Sequence, residues 1–187
     1  MIDLEKFLEP IELAGTPLTD HRAYRMDGES PQPDMRKDVG LGPCNCCDYF
    51  LLSKDDTIIL IEETRLIDQH RNLQNEYHYL ESSDQKQFID RYIRQENRLK
   101  AYGSMLVLCR LSAVCEDAKE LLEAKNYKFW LVVSGRYSTR DARFFRNLKD
   151  PLSNELKGAL SREIVDEVEI LPADEFIGKL SEHAITS

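Results

Sequence analysis

The chain is 187 residues long, 42% hydrophobic and 32% charged, with a formal net charge of −9. That is room for one domain with a buried core and an ordinary globular composition, while the acidity argues against general electrostatic affinity for nucleic acid. No run of 18 apolar residues occurs, so no membrane-spanning segment is expected.

The charge is unevenly distributed: residues 1–83 carry −9, residues 84–149 carry +6 and residues 150–187 carry −6. A basic middle between acidic ends is either internal charge complementarity or a local binding face. The start, MIDLEKFLEPIEL, has acids where a secretory leader needs a basic end and an apolar run, so a cytoplasmic setting is expected. The five cysteines, Cys44, Cys46, Cys47, Cys109 and Cys115, are an odd number in a chain too long to need staples, and thiols are expected. Cys44-Asn45-Cys46-Cys47 lacks the second pair of ligands that a zinc site wants. It reads first as small buried side chains at a strand entrance, with a metal or redox role as the alternative.

Residues 2–9 suggest a short helix with Leu4, Phe7 and Leu8 as its apolar stripe, closed by Pro10. Residues 14–43, punctuated by Gly15, Pro17, Gly28, Pro31, Pro33, Gly40, Gly42 and Pro43, read as a long irregular arm. Residues 47–52 and 57–61 read as two strands of a hairpin turning at Ser53-Lys54-Asp55-Asp56. The second is apolar on both faces, as a central covered strand would be. Residues 68–82 are polar with scattered Leu73, Tyr77, Tyr79 and Leu80. A helix capped by Ser83 or Asp84 begins near Gln85 and runs to Leu111, with Phe88, Tyr92, Ile93 and Leu99 as one face; Gly103 and Ser104 either permit close packing within it or split it. A further helical pattern covers 116–125, a strand 129–133, and a short helix 141–148 with Phe144 and Phe145 inward. Pro151 interrupts, helix resumes over 154–160, an edge strand follows at 164–171, and a helix over 174–180 closes the chain. The expected fold is a single α/β domain over 1–187: a central mixed sheet containing a hairpin, flanked by helices.

The hairpin carries the candidate chemistry. Asp48 enters its first strand and Glu62 leaves its second, so a tight turn brings the two carboxylates to one open end. Such a pair can share Mg²⁺ or Mn²⁺, which favour oxygen ligands. The ion polarises a phosphodiester and activates water. Thr64 shares the face of Glu62 if the strand continues. The bland alternative is two wet strand ends, with Asp48 capping a turn.

The segments Cys47-Asp48-Tyr49-Phe50-Leu51-Leu52 and Ile58-Ile59-Leu60-Ile61-Glu62-Glu63-Thr64 resemble the core motif of the PD-(D/E)XK nuclease-like superfamily. The likeness extends in element order over about residues 44–134. It implies a restriction-endonuclease-like fold with Asp48 as first metal ligand and Glu62 as second. Thr64 stands where the family has lysine. Moving one step, to Glu63 and Arg65, supplies an arginine, which clamps phosphate but is a poor base. Lys100, on the helix that follows, is the best replacement lysine. Glu9 resembles the helix acid that some members add, with Glu5 and Glu12 competing.

Arg91, Arg94 and Arg98 share one helix face, and Arg136, Arg140, Arg143 and Arg146 follow the later strand at similar spacing. Both sets read first as solvated faces, with phosphate contact as the alternative. Tyr137 and Phe144 read as a turn residue and core, and Trp130 as core. Three functions compete. The first is a nuclease-like protein whose metal site has lost its chemistry and which acts as a binding or regulatory component. The second is a Mg²⁺-dependent nuclease acting on DNA or RNA through the basic region 84–149. The third is an acidic protein-interaction domain unrelated to nucleases.

Overall fold

The computed structural model describes residues 2–28, 31–124, 126–135, 139–160 and 164–183. A single 3₁₀ turn, Glu5–Phe7, stands where a helix over 2–9 is expected. Strand β1 (Leu8–Leu13) follows directly and takes in Pro10. Proline is tolerated because β1 is the sheet edge, and the register shifts between Pro10 and Ile11.

The expected irregular arm over 14–43 is corrected as well. Ala14 and Gly15, at φ 50° and 76°, make a two-residue turn between Leu13 and Thr16. Positive φ at both turn residues matches the twist of the flanking strands. The ten-residue strand β2 (Thr16–Arg25) then pairs antiparallel with β1. Its first half is mostly exposed, so the hydrophobic alternation that announces a strand is missing there. Among the described residues of the arm, those beyond Arg25 are irregular apart from the short helix α1 (Met35–Asp38), which Asp34 caps by accepting from the Lys37 amide.

The hairpin stands where the sequence puts it. Strand β3 (Tyr49–Leu52) and strand β4 (Thr57–Thr64) pair antiparallel, Tyr49 opposite Ile61 and Leu52 opposite Ile58. Helix α2 (Leu66–Glu76) occupies part of the polar stretch whose pattern suggests no element; Leu66, Ile67, His70 and Leu73 are its buried side. Helix α3 (Ser82–Val114) is 33 residues long and runs unbroken through Gly103 and Ser104. A 3₁₀ segment, Glu116–Glu123, leads to strand β5 (Asn126–Val133). Helix α4 (Thr139–Leu160) continues through Pro151, where a break is expected. Strand β6 (Glu167–Pro172) and helix α5 (Ala173–His183) complete the chain.

The six strands lie in chain order, antiparallel from β1 to β4 and parallel from β4 to β6. This is one α/β domain: a mixed sheet with helices on its faces. β6 is an edge, as its alternating acids suggest. β4 is central and buried from Thr57 to Glu62. Its even-numbered Ile58 and Leu60 join the core shared with α2, α3 and α4. Its odd-numbered Ile59 and Ile61 face the second core, where Trp130, Phe176 and Leu180 pack beneath α5. Among the described residues no helix is long and apolar enough to cross a membrane.

Candidate functional site

The period-two geometry of β4 carries Glu62 onto the α3 side, in line with Leu60. Extending the Tyr49–Ile61 register by one places Asp48 opposite it. The Asp48 carboxylate is fixed by accepting from the Glu63 amide at 2.7 Å, and its carbonyl accepts from the Met26 amide at 2.8 Å. Lys100, one helix turn before Ser104, reaches down from α3 and forms an ion pair with Glu62 Oε1. The structure thus brings Asp48, Glu62 and Lys100 to one end of the sheet.

Electrostatics at this point are tense. Glu62 is 2% exposed, and its second oxygen, Oε2, is buried without a hydrogen-bond partner. Burial, then the Asp48 charge, pushes the Glu62 carboxyl well above its usual range, against the pull of Lys100. Burial likewise raises Asp48. Lys100 is half-way into the same environment, yet its carboxylate neighbours win and hold its proton more tightly than usual. That direction favours Lys100 as a positive charge over Lys100 as a base.

Thr64 is half-buried, and its carbonyl accepts from the Ser134 amide at 3.0 Å; its side chain adds no charge to the cluster. The alternative register is excluded by geometry. Glu63 turns to the other face, where it accepts from Ser134 Oγ and from the Ala14 amide. Arg65 is exposed just ahead of α2. The helix-acid expectation also fails. Glu9 lies on β1, not on a helix, and pairs with Arg25, which also reaches Glu12 at 3.3 Å and the Tyr49 hydroxyl. That network belongs to the Tyr49 side of the sheet. Glu5 is exposed on the 3₁₀ turn.

Two further acids, neither named among the candidates above, lie near the cluster. Asp27, just past β2, is ion-paired with Arg36, and burial raises its carboxyl against the pull of Arg36 and Lys100. Glu96 lies one turn before Lys100 on α3 and accepts from Gln69 of α2. Glu96 was legible, because positions four apart share a helix face. Asp27 was not, because the strand that delivers it does not read as one.

The cysteine segment packs against the core. Cys46 and Cys47 are buried, and burial raises both thiols. All five cysteines are free thiols. The segment rests against α3 at its small residues. The Cys47 amide donates to Ser104 Oγ at 2.8 Å, and a Cβ on Gly103 would lie 1.7 Å from the Asn45 carbonyl oxygen. Among the described residues no group of three or more His, Cys, Asp or Glu is assembled to hold a metal ion.

Of the basic residues, Arg91 and Arg98 are exposed, while Arg94 pairs with Glu155 at 2.9 Å. Arg143 and Arg146 are exposed on α4. Arg136 and Tyr137, and the Arg140 side chain, lie outside the described residues. Phe144 is half-buried with its ring edge-on to His70 at 4.6 Å, and Trp130 is core. No family model matches the chain, and no curated protein or solved structure matches it either.

Proposed function

We propose that Asp48, Glu62 and Lys100 form a divalent-cation site for phosphodiester hydrolysis in DNA or RNA, on a chain of PD-(D/E)XK-like ancestry. The observation that carries this reading is Lys100 on α3 meeting Glu62 opposite Asp48. It supplies from the helix the positive charge that Thr64 cannot. The donor set fits Mg²⁺ or Mn²⁺: one or two carboxylates suffice when waters complete the shell, and Glu62 Oε2 has no other partner. When bound, the cation would polarise the phosphodiester and ease deprotonation of a water. The Glu63 amide orients Asp48 for this task. Lys100, held protonated, stabilises charge that develops on the phosphate oxygens. Exposed Arg143 and Arg146 are candidates for backbone contacts that position substrate without reading sequence. The free thiols fit a reducing compartment such as the cytoplasm.

A second reading keeps the ancestry without the chemistry. Lys100 already occupies one Glu62 oxygen, so the pair would serve as a closed structural bridge in a binding or regulatory component. An acidic protein-interaction domain is the third. One experiment orders them: titration calorimetry with Mn²⁺ beside a nuclease assay on single- and double-stranded substrates, comparing the chain with Asp48→Asn and Glu62→Gln. Metal binding and cleavage should both be present, with cleavage falling at least about a hundredfold in either variant. Equal cleavage in all three proteins would sink the catalytic reading. No metal uptake and no cleavage would leave the second.

A further inference from the structure

Seven large hydrophobic side chains are exposed among the described residues, and five of them, Phe88, Tyr92, Leu99, Tyr102 and Leu106, belong to α3. Their spacing is four, seven, three and four. Gln95 completes an unbroken alternation of fours and threes, and exposed Cys109 extends it. That is the period of a coiled-coil seam, on the side of α3 away from the buried Ile93, Asn97, Ser104 and Leu111. The stripe spans about 27 Å at the α-helical rise. At 37–52% exposure each, the five side chains offer roughly 400 Å² of surface, within the size that marks an interaction face.

We infer that this stripe pairs with the same stripe of a second copy of the chain, α3 against α3 and parallel. Two observations choose this occupant. Arg91, Gln95, Arg98 and Cys109 border or complete the stripe and are exposed. They bring the face to roughly 700 Å² per copy, close to the roughly 800 Å² per partner of a standard interface. Charge selects the direction. With Tyr92, Leu99 and Leu106 at one seam position, Arg91 of one copy flanks Glu96 of the other in a parallel pair. An antiparallel pair on the same layers sets Arg98 against its own copy. Gln95, a single polar residue in the seam, fixes register as buried polar seam residues do. Phe88 is held in place against Tyr77, with ring centroids 4.4 Å apart.

The test is sedimentation velocity on the full chain from about 1 to about 100 µM. A dimer is expected, and Leu99→Glu with Leu106→Glu should raise its Kd at least about a hundredfold. Both positions are exposed, so circular dichroism of the variant should match the parent. In the parallel pair the two Cys109 side chains meet across the axis. Mild oxidation with diamide should therefore give a disulfide-linked dimer that Cys109→Ser abolishes. A chain that stays monomeric at about 100 µM, or a dimer indifferent to the double substitution, overturns the inference. So does a monomer that binds single-stranded oligonucleotide through Tyr92 and Tyr102, which assigns the stripe to nucleic acid. A dimer that does not cross-link at Cys109 overturns the parallel arrangement.

Discussion

Gly103→Ala is expected to destabilise the protein by about 2–4 kcal/mol, although the change improves helix propensity by about 1 kcal/mol. The added Cβ would meet the Asn45 carbonyl oxygen at 1.7 Å and Cys44 Sγ at 2.8 Å. The first of these is backbone and cannot rotate away. The segment 44–47 must lift off α3, which strains the Cys47 amide bond to Ser104 and shifts the entry of Asp48 into β3. Nuclease activity, if the proposed function holds, should fall with stability. Gly158→Ala is the control. It sits in α4, where an added Cβ would find nothing within 4 Å, so it should be neutral or stabilising by up to about 1 kcal/mol. Thermal and urea unfolding of the two variants read the contrast. A Gly103→Ala protein as stable as the parent would mean that the Cys44–Cys47 segment yields freely and does not brace the site.

Lys100→Met should be the most damaging change at the site itself. It removes the cation from a carboxylate that is nearly fully buried. Loss of one partner of a buried pair costs about 3–5 kcal/mol when the other stays charged; here the Lys100 side chain is 25% exposed, and about 2–3 kcal/mol is expected at pH 8. The pH dependence has a definite sign. Asp48 and Glu62 have folded pKa values raised above their unfolded ones. The fold therefore binds more protons than the unfolded chain between the two values, and stability falls as pH rises through that window. The parent should be more stable in mild acid than its acidic net charge alone suggests. The variant should show the same trend more steeply, because Glu62 then has only a proton to neutralise it. Activity should drop by about two orders of magnitude. Stability profiles of parent and variant that run parallel from pH 5 to pH 8 would show that Lys100 does not govern Glu62 ionisation.

The hairpin was legible because its two runs of β-forming residues are separated by a polar turn, and because Glu62 ends an otherwise apolar strand. The resemblance, with its lysine missing at Thr64, made Lys100 a candidate, but only the packing of α3 on the sheet could show which way it points. β1 and β2 were missed for physical reasons. Pro10 and Pro17 normally end regular structure, but Pro10 lies on the edge strand β1 and Pro17 on the part of β2 that pairs with β1 alone, so both have an open side where no amide is needed. The outer half of β2 is exposed, so its sequence carries no burial signal. Leu4, Phe7 and Leu8 mimic a helix stripe over too few residues to nucleate one. Pro151 costs α4 a hydrogen bond, yet Leu152, Leu156 and Leu160 bury on the core side and hold the helix together. The α3 stripe was hidden for a different reason. Phe88, Tyr92 and Leu99 read with Ile93 as one face, whereas Ile93 is buried and the other three are exposed; a helix with apolar residues on two sides shows weak amphipathicity, and its two faces blur into one.

The way β4 joins the two halves of the sheet has a consequence for chain entropy. Asp48 and Glu62 belong to neighbouring antiparallel strands, whereas Lys100 is 38 positions from Glu62 and arrives on the long crossover towards β5. With 14 positions between the acids, closing the cation's loop costs about 0.9 kcal/mol more than bringing the acids together. The carboxylates are the cheaper contact to form and the costlier one to keep ionised. Docking of α3 sets Lys100 against that conflict without removing it, so assembly of the helical layer and the proton balance of the sheet's polar end are coupled.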